Sequence, residues 1–393
     1  MDTSATAALP CHDVVVVGAG PVGAALALAL ADADLDVVVQ DARPPGESLR
    51  GDRSLALSHG ARLILERLGV WAALVRIPGA VTPIVAIDVS QAGGFGSTTL
   101  AAAEVGLPAL GYVVGYRALQ QAMDLALAHA GIAVRHGVSV TAVRSAATHA
   151  TLTGTGAPEA VQARLAVVAD GTGTGVEGLV RDRHDYGQVA LVANVWPAAA
   201  HRGRAFERFT DDGPVALLPQ GDHCALVWTA TPERGQELLA LGEMEFLSAL
   251  RAHFGTRAGT FTRVADRRSF PLALEFARNP VAGRAVALGN AAQTLHPVAG
   301  QGFNVGLRDA FELAQVVLDT PREALGDAAM LQRYVRGRRR DRYGGVAFTH
   351  GLVAVFGSGL AAARWPRGLA LTLLDVLPPA KRAFTRAMLF GLH

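Results

Sequence analysis

Residues 13 to 30 read DVVVVGAGPVGAALALAL, and no other stretch restricts the fold so strongly. A valine run followed by spaced glycines and a long apolar helix pattern describes a strand buried on both faces, which a sheet sandwiched between helices provides. Gly18, Gly20 and Gly23 stand at G-x-G-x-x-G spacing. The first permits a tight turn, the second lets the backbone approach a pyrophosphate, and the third lets helix and strand pack closely. Pro21, in the first helical turn, gives up only an N–H that is unpaired there anyway. The next apolar run, DVVVQDA, ends near Asp41, where a carboxylate can accept from ribose hydroxyls. Two other stretches have the spacing without the context. GTGVEG at 173–178 lies beyond a strand that ends at Asp170, and GSGLAA at 357–362 meets Pro366 before a crossover helix is complete. The expectation is a single dinucleotide site at the N-terminal motif.

The chain has 393 residues and is half apolar, enough for two domains or one interleaved pair. Its formal charge of +2 is near balance, with Lys381 the only lysine, and no basic stripe suggests nucleic acid. Cys11 and Cys224 match neither metal nor redox spacing, so no metal is expected and a reducing cytoplasm is the default location. The first dozen residues lack the basic start and apolar core of a signal peptide. From Tyr343 to Ala363 no residue is formally charged, yet five glycines, Thr349, His350 and Ser358 dilute the run below what a lipid-exposed span requires. The expectation there is a helical cap, with a second reading of peripheral membrane contact through GLALTLLDVL and RAFTRAMLFGL.

A second glycine cluster lies far along the chain. In RAVALGNAAQTLHPVAGQGFNVGLRDAFELA, residues 284–314, the first six residues read as a strand, Pro297 halts the chain, Gly300 and Gly302 bare the backbone, and a helix begins. Unpaired N–H groups at such a start stabilise negative charge on a ligand. Two glycine sites so distant in sequence suit a long cofactor lying across the fold. Between them QVALVANVW, GRAFERF, PVALLP and CALVWTA read as short strands, interrupted by a helical PERGQELLALGEMEFLSALRAHF. The pattern is an α/β nucleotide-binding domain with an inserted sheet-rich domain and a helical C-terminus.

The stretches GAGPVG, DRSLALS, VVADG and above all GNAAQTLHPVAGQGFNVGLRDA resemble the FAD-dependent aromatic hydroxylases of the para-hydroxybenzoate hydroxylase fold, over nearly the whole chain. More narrowly, GNAAQTLHP, GRAFERFTDDGPVALLP and LVW are similar to the ubiquinone-biosynthesis group, the 2-polyprenyl-6-methoxyphenol hydroxylases in particular. The resemblance implies a Rossmann-like FAD-binding domain at 1–80, 105–180 and 276–340, interleaved with a β-sheet-rich substrate domain at 81–104 and 181–275. Residues 341–393 form the C-terminal helical region. It assigns Gly18, Gly20 and Gly23 to the pyrophosphate, Asp41 to the adenosine ribose, Arg53 to the region between ribityl chain and phosphates, and Arg117 to the phosphates. Asn290 takes the place of an aspartate that holds the ribityl chain, and an amide can still accept and donate there. Pro297, Gly300, Gln301, Gly302 and Asn304 would line the isoalloxazine ring. Asp170 and Gly171 open the family's D-G-x-x-S-x-x-R motif, whose later positions hold Thr174 and Glu177 here; Arg181 and Arg183 are the nearest replacements for its arginine.

The implied activity is hydroxylation of a prenylated phenol in ubiquinone biosynthesis, with NADPH or NADH and O2 as co-substrates. Phe206, Arg208, Phe209, Leu217, Pro219 and Trp228 are candidate substrate-lining residues on the inserted strands. His296, next to Pro297, is a candidate base for the phenol, weighed against a histidine that merely bonds its own loop. Partners expected are the prenylated phenol and either a membrane surface or a quinone-synthesis assembly. Two rivals share the FAD motifs: a reductase of an isoprenoid lipid, which would consume no oxygen, and a non-catalytic subunit that holds FAD or lipid. A halogenase reading fails because the only lysine, Lys381, stands near the C-terminus.

Overall fold

The buried valine run forms β1 (Cys11–Val17), and the glycine turn leads into α1 (Pro21–Ala29) and β2 (Val37–Asp41). The computed structural model describes residues 9–44, 53–156, 160–173, 175–297, 300–356 and 364–391. After β2 come β3 (Ser54–Ser58), α2 (His59–Arg67), α3 (Val70–Val75), β4 (Val81–Ile84), β5 (Ala86–Gln91), β6 (Ser97–Ala101) and β7 (Gly111–Gly115). The helix α4 (Tyr116–His129) precedes β8 (Ala133–His136), β9 (Ser139–Ser145), β10 (Ala150–Thr155) and β11 (Val161–Val168). The middle of the chain supplies β12 (Asp182–Pro197), β13 (Arg204–Thr210), β14 (Gly213–Gln220) and β15 (His223–Ala230). The single helical interruption expected next is two helices, α5 (Pro232–Ala240) and α6 (Glu243–Phe254), parted at Gly242, before the long β16 (Phe261–Phe276). The remainder is β17 (Val281–Ala282), β18 (Ala285–Ala287), β19 (Gln293–Thr294), α7 (Gln301–Leu318), α8 (Ala328–Phe356), α9 (Arg364–Val376) and α10 (Pro378–Phe390).

The first sheet has the strand order β17-β18-β11-β1-β2-β8, and β1 runs parallel to both neighbours. Val14, Val15 and Val16 have no exposed surface, because α1, α4 and α7 cover one side of the sheet and a second apolar cluster around Val143 and Leu152 covers the other. From β1 the chain departs through α1 to β2 on one side, while β11 and then β18 add on the other. Such a reversal opens a crevice at the carboxyl ends of the strands, where open α/β sheets bind ligands. The glycine turn stands at that end of β1.

The second sheet runs β19-β16-β12-β15-β14-β13-β5-β6, so β5 and β6 join strands that lie more than a hundred residues later. One face is covered by α5 and α6 over a core that includes Leu191, Val195, Leu226 and Phe246. β4 instead pairs with β7 beside β3 in a small bridging sheet, so the insertion starts at β5 and not at residue 81. The border expected at residue 340 also shifts. No proline interrupts 328–356, and α8 passes straight through it.

Buried charges fasten α8 to α7. Arg308 Nε donates to Asp341 Oδ2 at 2.7 Å, and Arg338 donates to Asp309 at 2.7 Å and to Asp341 at 2.5 Å. The last two helices fold back over the second sheet. Asp375 Oδ1 accepts from Thr98 Oγ1 at 3.0 Å and from Lys381 Nζ at 3.1 Å, and Lys381 also reaches Glu104 at 3.0 Å. Among the described residues no helix is long and apolar enough to cross a membrane. Residues 357–363 of the uncharged run, which hold the second glycine decoy, lie outside the described residues.

Candidate active site

The end of β1 is held by a carboxylate. Asp41 Oδ2 accepts from the Ala19 N–H at 2.6 Å, while Oδ1 accepts from Arg43 N and Nε at 2.8 and 2.9 Å. Gln120 Nε2, from α4, donates to the Ala19 carbonyl at 2.8 Å. Gly18 sits at φ +100°, a conformation that strains any residue with a Cβ. The other two glycines divide their work by what surrounds them. A Cβ on Gly23 would lie 2.0 Å from the Gly18 carbonyl oxygen, so this glycine lets helix meet turn. A Cβ on Gly20 would meet nothing nearer than Tyr116 Oη at 3.8 Å. That leaves an open cradle at the N-terminus of α1, where backbone donors and the helix dipole favour a phosphate.

A cavity of about 940 Å³ runs from this cradle to the second glycine cluster and on beneath the second sheet. Its middle is lined by Arg53, Asp170, Gly171, Asn290, Pro297, Gly300 and Gly302. The Arg53 guanidinium lies 4.4 Å over the Tyr116 ring. Asp170 accepts from the N–H groups of Thr172 and Gly173 at 3.0 and 2.8 Å, shaping the turn after β11. Gly300, at φ +59°, caps α7, and its missing Cβ avoids Ala56 Cβ at 2.9 Å. A Cβ on Gly302 would find nothing within 4.0 Å but Leu295. The cavity therefore has helix N-termini at two places, each bared by glycine, and its size is at the upper end for small-molecule sites. An elongated ligand that is anionic at its centre and on one face of a terminal ring fits that arrangement.

Beyond the ring end, the wall is the second sheet. Residues paired side by side across five strands, Thr98, Val89, Glu207, Ala216 and Val227, all line the cavity. Ile87, Leu218, Phe209, Leu371, Phe384 and Met388 complete an apolar pocket with one carboxyl in it. Burial pushes the Glu207 carboxyl up to about 7. The surface it retains belongs to the cavity, and Oε1 is sealed from water without a hydrogen-bond partner. Sequence reading passed over this residue, although it stands between two that were chosen, Phe206 and Arg208.

Several expected positions fall elsewhere. Leu217 and Trp228 point into the core under α5 and α6, where Trp228 stacks on His253 at 4.8 Å. Pro219 is buried and off the cavity wall, and Arg208 donates to Ser90 Oγ at 3.3 Å outside it. Phe206 reaches the wall, but its ring packs edge-on to Phe254, 6.0 Å away; Phe209 lines the cavity fully. Asn304 is committed to backbone, accepting from Ser58 N at 2.8 Å and donating to Ala56 and Gly300 carbonyls at 2.9 Å each. With Gln301 it borders a smaller void behind the main cavity. Arg117 is exposed, while Tyr116 and Gln120 of the same helix take the lining positions. Arg181 and Arg183 both pair with Glu275, and Thr174 lies outside the described residues. His296 does line the cavity and packs edge-on to Tyr186 at 5.2 Å. Burial pushes it down to about 4, so it is neutral at pH 7 and a much weaker base than the sequence suggested. Among the described residues no group of histidine, cysteine, aspartate and glutamate could hold a metal.

A family model described as an FAD binding domain matches residues 12–344. The chain is 35% identical over 387 residues to the ubiquinone hydroxylase UbiL of Rhodospirillum rubrum, covering 95% of this chain and 88% of that one. To the 3-demethoxyubiquinol 3-hydroxylase of Escherichia coli it is 31% identical over 381 residues, covering 94% and 96%. In fold it is similar to the p-nitrophenol 4-monooxygenase PnpA of Pseudomonas putida, with a TM-score of 0.78 at 17% identity, covering 98% of this chain and 100% of that chain.

Proposed function

The chain belongs to the family of FAD-dependent monooxygenases built on this FAD binding domain, and from that premise we propose that it hydroxylates the aromatic ring of a polyprenylated phenol in ubiquinone biosynthesis. The reaction would convert phenol, O2, NADPH or NADH and a proton into the dihydroxylated product, water and oxidised nicotinamide. One observation carries the reading: a single cavity joins the cradle after β1, the glycine-bared start of α7 and an apolar pocket under the second sheet.

Bound FAD would supply the redox chemistry, taking a hydride from the nicotinamide and delivering two electrons to O2. The chain supplies position and dryness. Gly18, Gly20 and the start of α1 would hold the pyrophosphate, with Asp41 at the ribose and Arg53 providing positive charge. Asn290 would meet the ribityl hydroxyls, and the N–H groups at Gly300 and Gly302 the electron-rich edge of the ring. Val89, Leu218, Val227, Leu371 and Phe384 keep water from the reacting carbon.

The tail of the substrate also finds support. α9 turns Leu371 and Leu374 into the cavity, while Trp365, Leu369, Leu373 and Val376 on its other side are 74%, 53%, 46% and 61% exposed. Exposed Arg382 and Arg386 on α10 accompany this stripe. An amphipathic helix of that kind lies on an anionic membrane surface, one helix thickness from the phenol site.

The test is aerobic NADPH oxidation by the FAD-loaded enzyme with and without 2-prenyl-6-methoxyphenol, following hydroxylated product and peroxide together. Product in step with NADPH consumption is expected. Reduction of a prenyl double bond without oxygen uptake would favour the reductase reading, and FAD that no nicotinamide reduces would favour a non-catalytic subunit.

A further inference from the structure

The pocket under the second sheet contains one ionisable side chain that nothing above employs. We propose that Glu207 receives the hydroxyl of the phenol and takes its proton while the ring is hydroxylated. The proposal rests on the hydroxylase reading.

Placement comes from register. Glu207 pairs with Val89 on β5 and with Ala216 on β14, which pairs in turn with Val227 on β15, so the carboxyl is the one ionisable point in a row facing the cavity whose other polar member, Thr98, donates to Asp375. A buried carboxyl without a partner costs stability and is retained where something else occupies it. The neighbouring charges face away or are engaged. Arg208 reaches Ser90, Arg204 pairs with Asp88 at 2.6 Å, and Asp88 also accepts from Thr99 Oγ1 at 2.6 Å. The residues that α9 and α10 contribute to the wall are Leu371, Leu374, Phe384 and Met388, none of them charged. Lys381 and Asp375 pair with each other, and Lys381 also with Glu104. His296, the other histidine or carboxylate at the ring end, is held neutral. Desolvation alone therefore sets the affinity of Glu207 for its proton, close to neutrality.

A phenol O–H is a hydrogen-bond donor, and an ionised carboxylate only accepts, so the two are matched. As the ring carbon forms its bond to the incoming oxygen, the O–O bond that carried it breaks, the other oxygen leaving toward water with the two electrons supplied by the nicotinamide, and the phenol O–H bond breaks as its proton passes to Glu207. The ring carbon then loses its own hydrogen as a proton to solvent. Glu207 returns its proton to the phenol oxygen and ends as it began. Electron density pushed from the deprotonated oxygen favours attack at the ring, and general-base help of this kind is typically worth about 10²–10⁴ in rate.

The experiment compares wild type, Glu207→Gln and Glu207→Asp, all loaded with FAD, on 2-prenyl-6-methoxyphenol and its O-methyl ether. In wild type, kcat/KM for product should fall as pH drops below about 7, with one proton involved. Glu207→Gln should lower product formation at least about 100-fold at pH 8 and erase that limb, with electrons emerging as peroxide; Glu207→Asp should restore part of the rate and the limb. A second readout needs no turnover: quenching of flavin fluorescence should show wild type binding the phenol about tenfold or more tightly than the ether, and a further variant, Glu207→Leu, which offers the phenol O–H no acceptor, binding both alike. Variants that keep the limb and the phenol preference overturn the Glu207 assignment and leave the hydroxylase reading intact. A wild type that prefers the phenol yet never hydroxylates it refutes that reading while the contact stands.

Discussion

Replacing Gly23 and Gly20 one at a time by alanine separates folding from cofactor binding within a single turn. The new Cβ at Gly23 would stand 2.0 Å from the Gly18 carbonyl oxygen and 3.2 Å from Val16 Cγ1, so backbone must move by roughly an ångström. α1 has no room to retreat, because Val22 is the nearest side chain to any Cβ built at Gly289, and Leu26 has no exposed surface. Overpacking of this sort costs about 1–3 kcal/mol. Spread over the unfolding entropy of 393 residues, that lowers the melting midpoint of the apoprotein by about 1–4 °C. At Gly20 the backbone, φ −62° and ψ 169°, suits alanine, and the methyl would find open space. Apoprotein stability should then change by less than about 1 kcal/mol, the difference between glycine and alanine at an N-cap. The methyl would stand where a phosphate belongs, and losing one charge-assisted hydrogen bond weakens FAD binding about 10- to 150-fold. The assay is calorimetry of the apoproteins beside titration of FAD by fluorescence quenching. A Gly23→Ala apoprotein that melts with wild type, or a Gly20→Ala protein that binds FAD normally, would refute the division of labour.

Three further outcomes are expected. The rise of Glu207 from 4.5 to about 7 makes the folded state bind a proton the unfolded chain has lost, so this residue costs on the order of 3 kcal/mol above pH 7; the fall of His296 from 6.5 to about 4 has the opposite slope between pH 4 and 6.5. The two should nearly cancel at mildly acid pH, and melting curves of Glu207→Gln should rise with pH relative to wild type, which an identical pH dependence would contradict. Arg338→Met leaves Asp309 and Asp341 buried without their shared cation and should destabilise by about 3–5 kcal/mol in urea unfolding; a loss under 1 kcal/mol would mean that these carboxylates are otherwise satisfied. Leu369→Glu with Leu373→Glu should abolish flotation with anionic vesicles while sparing turnover of a short-tailed phenol, and retained flotation would place membrane contact elsewhere.

The α/β class could be read from the sequence because Val14 to Val17 have no polar alternate, which only a strand covered on both faces allows. The same property hid the roof of the pocket. β13, β14 and β15 are also covered on both faces, by α5 and α6 on one and by the cavity wall on the other, so alternation shows two faces without showing which is which. Choosing Leu217 and Trp228 over Ala216, Leu218 and Val227 is a slip of one residue, and a slip of one residue reverses a strand. Glu207 carried a faint signal, an acid in an otherwise apolar strand, but a solvated edge gives the same pattern. Asn304 was misplaced for a different reason. The family resemblance put it at the ring, while the hydrogen bonds that turn its amide toward β3 come from a strand nearly 250 residues earlier.

The cavity draws its wall from Val17 at one extreme and Met388 at the other, and β11, the partner of β1, lacks its own outer neighbour β18 until Ala285–Ala287 arrive. At translation rates of about 5–20 residues per second, roughly 13–54 s separate the end of β1 from β18, and longer from α10. The complete wall that would enclose a flavin is not yet assembled during that time. Cofactor supply is therefore felt only after synthesis, and a cell short of flavin should accumulate a finished but loosely closed chain that proteases clear before it becomes enzyme.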